Sequence, residues 1–199
     1  WSNPTGMAHE HVGTIATGIM TAPNFISEDD GSHLPHADSF LYDDDGRPRM
    51  LDPASELPVS FALPKAPPPA AGYPVAIFGH GLGASRHQLI ALAEPLTSQG
   101  WAVVAIDHHG HGSRFVDRDE ANNTPAFIEG FTGDAELRDG FGDVVGVGAT
   151  FAFLHEMKNL SGMRDSIRQS VIDLGALVRL LRSADLDLSA LGEPGAAPH

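Results

Sequence analysis

Two short apolar runs and the helical spacing between them set the framework of this chain. Val75-Ala76-Ile77-Phe78 and Ala102-Val103-Val104-Ala105-Ile106 are continuous in apolar residues, the pattern of strands buried on both faces. Between them, Leu89, Leu92, Ala93 and Leu96 recur at helical spacing. Ser85 and Gln88 stand three apart ahead of that run. This is the spacing of a capping box, in which each side chain satisfies the other's free backbone N–H. Pro95 is expected to bend or shorten the helix and Gly100 to end it. Strand, helix and strand within about thirty residues form a βαβ unit, so the two strands should be parallel with a right-handed crossover.

The flanks carry other periods. Val12 to Met20 is rich in Val, Ile and Thr, which favour a strand, and Pro23 is expected to end it. Residues 58–63 alternate apolar and polar, as a half-buried strand does. Residues 28–56 are rich in Asp, Gly, Pro and Ser and read as a surface excursion. Residues 164–182 give the strongest helical pattern: Ile167, Val171, Leu174, Val178 and Leu181 share one face, expected to lie on the core. Residues 108–160 are Gly-rich and irregular, with helical pieces expected near 149–158, and residues after Ser183 read as loop.

Composition narrows the class. At 199 residues with 42% hydrophobic, the chain can build one domain with a sizeable core. A formal net charge of -14 argues against nucleic acid or an anionic membrane as partner. The lack of cysteine removes disulfides, thiolate catalysis and cysteine-held zinc. No apolar run is long enough to span a bilayer. The first residue is Trp1 rather than a methionine, which fits trimming or processing of a preceding segment.

The candidate chemistry sits at the carboxyl ends of the two buried strands, where open α/β sheets place their sites. His80-Gly81-Leu82-Gly83 follows the first strand. Glycines there let a backbone N–H face outward, where it can stabilise the oxyanion of an acyl-transfer reaction. Asp107-His108-His109-Gly110-His111-Gly112 follows the second strand and should lie beside it. His109-x-His111 is similar to half of a metallo-β-lactamase-type ligand set, but Gly112-Ser113-Arg114 replaces the Asp-His that should follow. The histidines are therefore read as packed around a loop, with no metal or other cofactor. His9-Glu10-His11 and the acidic run Asp43-Asp44-Asp45 are read as structural and solvated rather than as zinc or calcium ligands.

Taken together, Pro74 to Gly83, the following helix, and Val104 to Gly112 resemble the third strand, oxyanion loop, first helix and fourth strand of the α/β-hydrolase superfamily. Arg164-Asp165-Ser166-Ile167-Arg168-Gln169-Ser170 resembles the helix before the nucleophile strand in bacterial extracellular lipase- and esterase-like serine hydrolases, and Thr21 to Phe25 their amino-terminal strand region. The resemblance covers roughly residues 12–182. It implies an α/β fold with a mostly parallel central sheet and an antiparallel amino-terminal strand region. Residues 1–72 would hold amino-terminal strands and loops, 73–114 the strand, oxyanion loop, helix and strand, 115–160 a candidate lid or pocket segment, and 161–182 the helix before the nucleophile strand. The backbone N–H of Leu82 would be an oxyanion donor, with Gly81 and His80 shaping the turn. His111, Phe131 and Phe141 are candidates for the substrate pocket, and Asp107 and His111 would brace the neighbouring loop. Arg168 and Gln169 would clamp adjacent loops. A secreted or cell-envelope location is also implied.

One element of that family is missing. No serine in the chain has Gly two before and Gly two after, the Gly-x-Ser-x-Gly of the nucleophile elbow. The order nucleophile, acid, histidine would place all three after residue 182, and residues 183–199 carry no strand pattern. The chain thus reads as the amino-terminal segment of a serine ester hydrolase acting on a small-molecule or lipid ester. The carboxyl-terminal half would be supplied as a separate chain or segment. Alone, the 199 residues are expected to be inactive and unstable or aggregating, because an apolar strand edge would lack its neighbour. Two other readings stand beside this one: a non-catalytic binding or assembly subunit, and a metal-dependent hydrolase using the His108–His111 loop.

Overall fold

The fold was described from a computed structural model, in which residues 9–27, 39–81, 84–114 and 160–183 are described. Four strands form one open mixed sheet: β1 (Val12–Asn24), β2 (Asp52–Pro64), β3 (Val75–Phe78) and β4 (Ala102–Ile106), in the order β1-β2-β4-β3. β1 runs antiparallel to β2, β2 antiparallel to β4, and β3 parallel to β4. The parallel βαβ pair and the antiparallel amino-terminal region are both present. Among the described strands, however, the sheet is mixed rather than mostly parallel. β1 and β2 are each longer than their sequence patterns implied. They pair continuously from Thr14↔Leu63 to Ala22↔Ser55. β1 continues through Pro23 to Asn24, where the ladder becomes irregular, as a residue without an N–H allows at an edge.

Helices cover both faces of the sheet. Helix α1 (Leu89–Thr97) packs Leu89 and Ala93 against Ala62, Val103 and Ala105. Helix α2 (Leu160–Arg182) packs Ala176 and Leu177 against Val59, Phe61, Val104 and Ile106. The alternation of side chains along β4 divides its residues between these two clusters. β4 is buried at every residue. Burying a leucine such as Leu89 or Leu177 contributes about 1.5–3 kcal/mol.

β3 departs from expectation. Val75 is 38% and Ile77 40% exposed, where burial on both faces was anticipated. β3 stands at an edge of the described sheet, so one flank of its apolar residues is open.

The capping box is also absent. Ser85 makes no side-chain capping bond; it is buried, and its hydroxyl faces His87 Nδ1 at 3.3 Å. Residues Arg86–Gln88 form a 3-10 turn, and α1 begins only at Leu89. Pro95 lies inside this nine-residue helix. Gly100 closes it at φ +78°, its N–H donating to the Thr97 carbonyl.

The predicted face of α2 is only partly on the core, where Leu174 and Leu181 pack. Ile167, Val171 and Val178 are exposed at 58, 64 and 36%. The polar residues Asp165, Ser166, Gln169, Ser170 and Asp173 are buried instead. Each is satisfied by a specific partner, which is what makes its burial tolerable. Gln169 donates to the Pro23 carbonyl and accepts from the Phe25 N–H at 3.0 Å, tying α2 to the end of β1. Asp165 accepts from the Phe40 N–H and from Arg164 and Arg168. Arg168 also reaches the Tyr42 hydroxyl. The expected clamps by Arg168 and Gln169 are thus present.

The other sequence clusters are structural where described. His11 pairs with Glu94 of α1 at 2.6 Å. The hydrogen bond from His11 is the main cause holding the Glu94 carboxyl below its usual range. Asp43 accepts from the N–H groups of Asp45 and Arg47, closing a surface turn. Among the described residues, no helix is long and apolar enough to cross a membrane.

Candidate active site

Because β3 and β4 are parallel neighbours, the turn after Phe78 and the loop after Ile106 emerge side by side. Asp107 anchors the pair. It is 1% exposed and accepts from the Arg86 N–H at 2.6 Å and from the buried Arg86 guanidinium. This ties the segment just beyond the glycine turn to the end of β4. Gly112 closes over the same carboxyl group at φ +54°, where a Cβ would overlap it. Gly112→Ala should therefore destabilise the chain by about 1–3 kcal/mol, read as a drop in the urea midpoint. An unchanged midpoint would contradict this packing.

His80 joins the two loops. Its side chain is fully buried. The His108 N–H can only donate, so His80 Nε2 accepts from it at 3.0 Å. Nδ1 then carries the proton and donates to the Gly81 carbonyl at 3.0 Å. Burial lowers the His80 pKa, in keeping with this neutral form. The Gly81 carbonyl also accepts from the Ala84 N–H.

The histidine loop rests on α2. The His109 N–H donates to Ser170 Oγ at 3.1 Å, and His109 Nδ1 lies 3.2 Å from Ser166 Oγ. His111 Nδ1 donates to the His109 carbonyl. Arg114 donates to Asp173 at 2.6 Å and to the Asp107 carbonyl. Burial pushes the pKa of His109 down to about 3 and that of His108 to about 4, with neighbouring cationic or imidazole groups adding to both. All three rings nearest the turn pack closely: His80 lies 4.5 Å from His108 and 5.2 Å from His111 between centroids.

These residues enclose a cavity of about 310 Å³ at the carboxyl end of the parallel pair. One wall is His80, Gly81, His108, His109 and His111; the other is α2, with Met163, Ile167, Val171 and Leu174. It is a concave, largely apolar space with a few convergent polar groups, the usual make-up of a small-molecule site. Among the described residues, no three His, Asp or Glu side chains are placed to hold a metal ion. His80 Nε2, His109 Nδ1 and His111 Nδ1 are already engaged in hydrogen bonds within the protein.

Of the residues singled out in the sequence, His80, Gly81 and His111 line this cavity. Asp107 braces the loop pair as anticipated. Leu82, Phe131 and Phe141 lie outside the described residues, as does all of the candidate lid at 115–160 except Leu160. Sequence reasoning gave no site role to Ser166 and Ser170, whose four-residue spacing puts two small hydroxyls on one helix face, and weighed His108 only for the metal-dependent reading.

Residues 54–124 match the family model of platelet-activating factor acetylhydrolase, isoform II. That stretch contains most of β2, and all of β3, α1, β4 and the histidine loop. The family comprises ester-cleaving hydrolases of the α/β-hydrolase type, and the similarity supports a hydrolase with an α/β fold. No curated protein and no solved structure matches the chain.

Proposed function

We propose that this chain is the amino-terminal segment of a lipase- or esterase-like serine hydrolase, supplying the oxyanion loop and one wall of the acyl pocket. The observation that carries this reading is the cavity at the paired carboxyl ends of β3 and β4, bounded by Gly81. The Leu82 N–H would stabilise the negative charge that develops on the carbonyl oxygen as a serine attacks an ester. His80 would fix the preceding peptide through the Gly81 carbonyl. Ile167, Val171 and Leu174 offer an apolar wall for a hydrocarbon chain.

The serine, acid and histidine of this mechanism would come from a segment outside these 199 residues, since no Gly-x-Ser-x-Gly occurs among them. The open flank of β3 supports this, because the resemblance puts the nucleophile strand beside that strand. The exposed Val178 of α2, outside the cavity, offers apolar surface for the same segment. The substrate class in this reading is a small-molecule or lipid ester, met outside the cell or at its envelope.

The donor role is tested by removing one N–H. In the native hydrolase, Leu82→Pro should lower kcat about 100-fold with little change in KM, the signature of an interaction made in the transition state. A KM effect alone, or unchanged kcat, would remove Leu82 from the mechanism.

A further inference from the structure

His108 presents a buried nitrogen that has no partner among the described residues. Its Nδ1 is shut off from solvent and makes no hydrogen bond. Its ring is tilted against that of His80 at the mouth of the glycine turn, and it lines the cavity beside Gly81. Burial is the main cause that keeps the ring neutral at pH 7, with a pKa of about 4. The nearby imidazoles of His80 and His111 and the Arg114 guanidinium act in the same direction, and Asp107 opposes them.

A neutral imidazole carries one proton, on either of its nitrogens. A buried N–H without an acceptor is the costlier arrangement, so the proton belongs on Nε2. Nε2 lies over Gly79, 3.5 Å from where a Cβ would stand. His108 lines the cavity, and with Nδ1 sealed Nε2 is the ring nitrogen left to serve it.

We infer that His108 offers an Nε2–H donor to the cavity and hydrogen-bonds an ester oxygen of a ligand whose hydrocarbon chain lies along Ile167, Val171 and Leu174. The assignment of the ligand as an ester rests on the hydrolase reading; the tautomer and the direction of the donor do not. His108 would then be a specificity-determining residue, separating esters from hydrocarbons of similar size that the apolar wall alone accepts equally. No bond is made or broken in this step.

The native protein with ¹⁵N-labelled histidine rings, carrying alanine in place of any fluorophosphonate-reactive serine so that the ester is not consumed, gives a direct test. At pH 7 the His108 signals should report protonation at Nε2. Ethyl butanoate should shift that nitrogen, and 1-chloroheptane, a linear chain of the same heavy-atom count but a poor acceptor, should not. His108→Phe should weaken ethyl butanoate binding about five- to tenfold, the worth of one hydrogen bond, and leave 1-chloroheptane unchanged. If that variant fails to fold, the tautomer and the shift with His108 in place still decide. A proton on Nδ1, equal responses to the two ligands, or binding of neither would overturn the proposal. Labelling of the native protein by a fluorophosphonate tests the hydrolase reading separately, so either can fail while the other stands.

Discussion

Replacing Asp107 with alanine should lower the stability of the chain by about 3–5 kcal/mol, among the largest effects expected of any single change. Asp107 and Arg86 are each 1% exposed, and the carboxylate takes both the backbone N–H and the guanidinium of Arg86. Removing it takes an acceptor away from a buried guanidinium and from a buried N–H. Both costs are those of unmet desolvation rather than of a lost surface charge pair. Asp107→Asn should retain part of the stability, because its amide oxygen can still accept from the Arg86 N–H. Joining Asp107→Leu with Arg86→Leu should recover much of the loss, since the two opposite buried charges are then removed together. Urea unfolding of the three variants checks the pattern. A double variant less stable than Asp107→Ala would show that the ion pair itself, rather than the charge left behind, sets the cost. The consequence reaches the site, because Arg86 directly follows the glycine turn that would carry the oxyanion donor.

Acidification should unfold the chain well before its carboxylates are neutralised. In the unfolded chain, histidines protonate near about 6.5. In the fold, His109 stays neutral down to about 3 and His108 to about 4. Between those limits the unfolded state binds more protons than the folded state, so stability falls as pH falls. The stability these rings contribute is fully present above about pH 6.5 and is lost progressively toward pH 4. His109 alone accounts for a loss on the order of 3 kcal/mol over that range. His108 adds a smaller amount, because part of its ring is exposed to solvent. Asp165 acts at lower pH. Burial raises its pKa, but Arg164 and the Phe40 N–H outweigh that and hold it below the usual range, so its contribution is lost as pH falls further. Urea midpoints measured from pH 7.5 to 4.5 should decline steadily, and His109→Asn should flatten the decline. A flat profile in the unaltered chain would contradict the buried neutral imidazoles.

Much of this architecture could be read directly from the pattern of the sequence. The continuous apolar run at 102–106 forms a strand buried at every residue, and its parallel pairing with 75–78 follows from the helix between them. The site's position followed from the same logic, because His80, Gly81 and His111 sit at adjacent strand ends. What could not be read concerns context rather than periodicity. An apolar run does not reveal whether its strand lies at an edge, so the exposure of Val75 and Ile77 was hidden. The amphipathic pattern of α2 placed Leu174 and Leu181 on the core correctly, but not Ile167, Val171 and Val178. The polar side is buried because Gln169, Asp165 and Asp173 find partners on Pro23, Phe40 and Arg114, residues distant in sequence. Ser85 and Gln88 had the right spacing for a cap, but Ser85 turns toward His87 in a 3-10 segment. The unpartnered nitrogen of His108 depends on three-dimensional packing that no motif encodes.

The central claim is that this segment belongs to a serine ester hydrolase whose nucleophile lies elsewhere. Fluorophosphonate labelling of the native protein, followed by peptide mapping, tests it most directly. The account predicts a single labelled serine, within a Gly-x-Ser-x-Gly sequence outside residues 1–199, and no label on the isolated chain. A labelled serine within residues 1–199, or ester hydrolysis that resists the reagent and requires zinc, would contradict it.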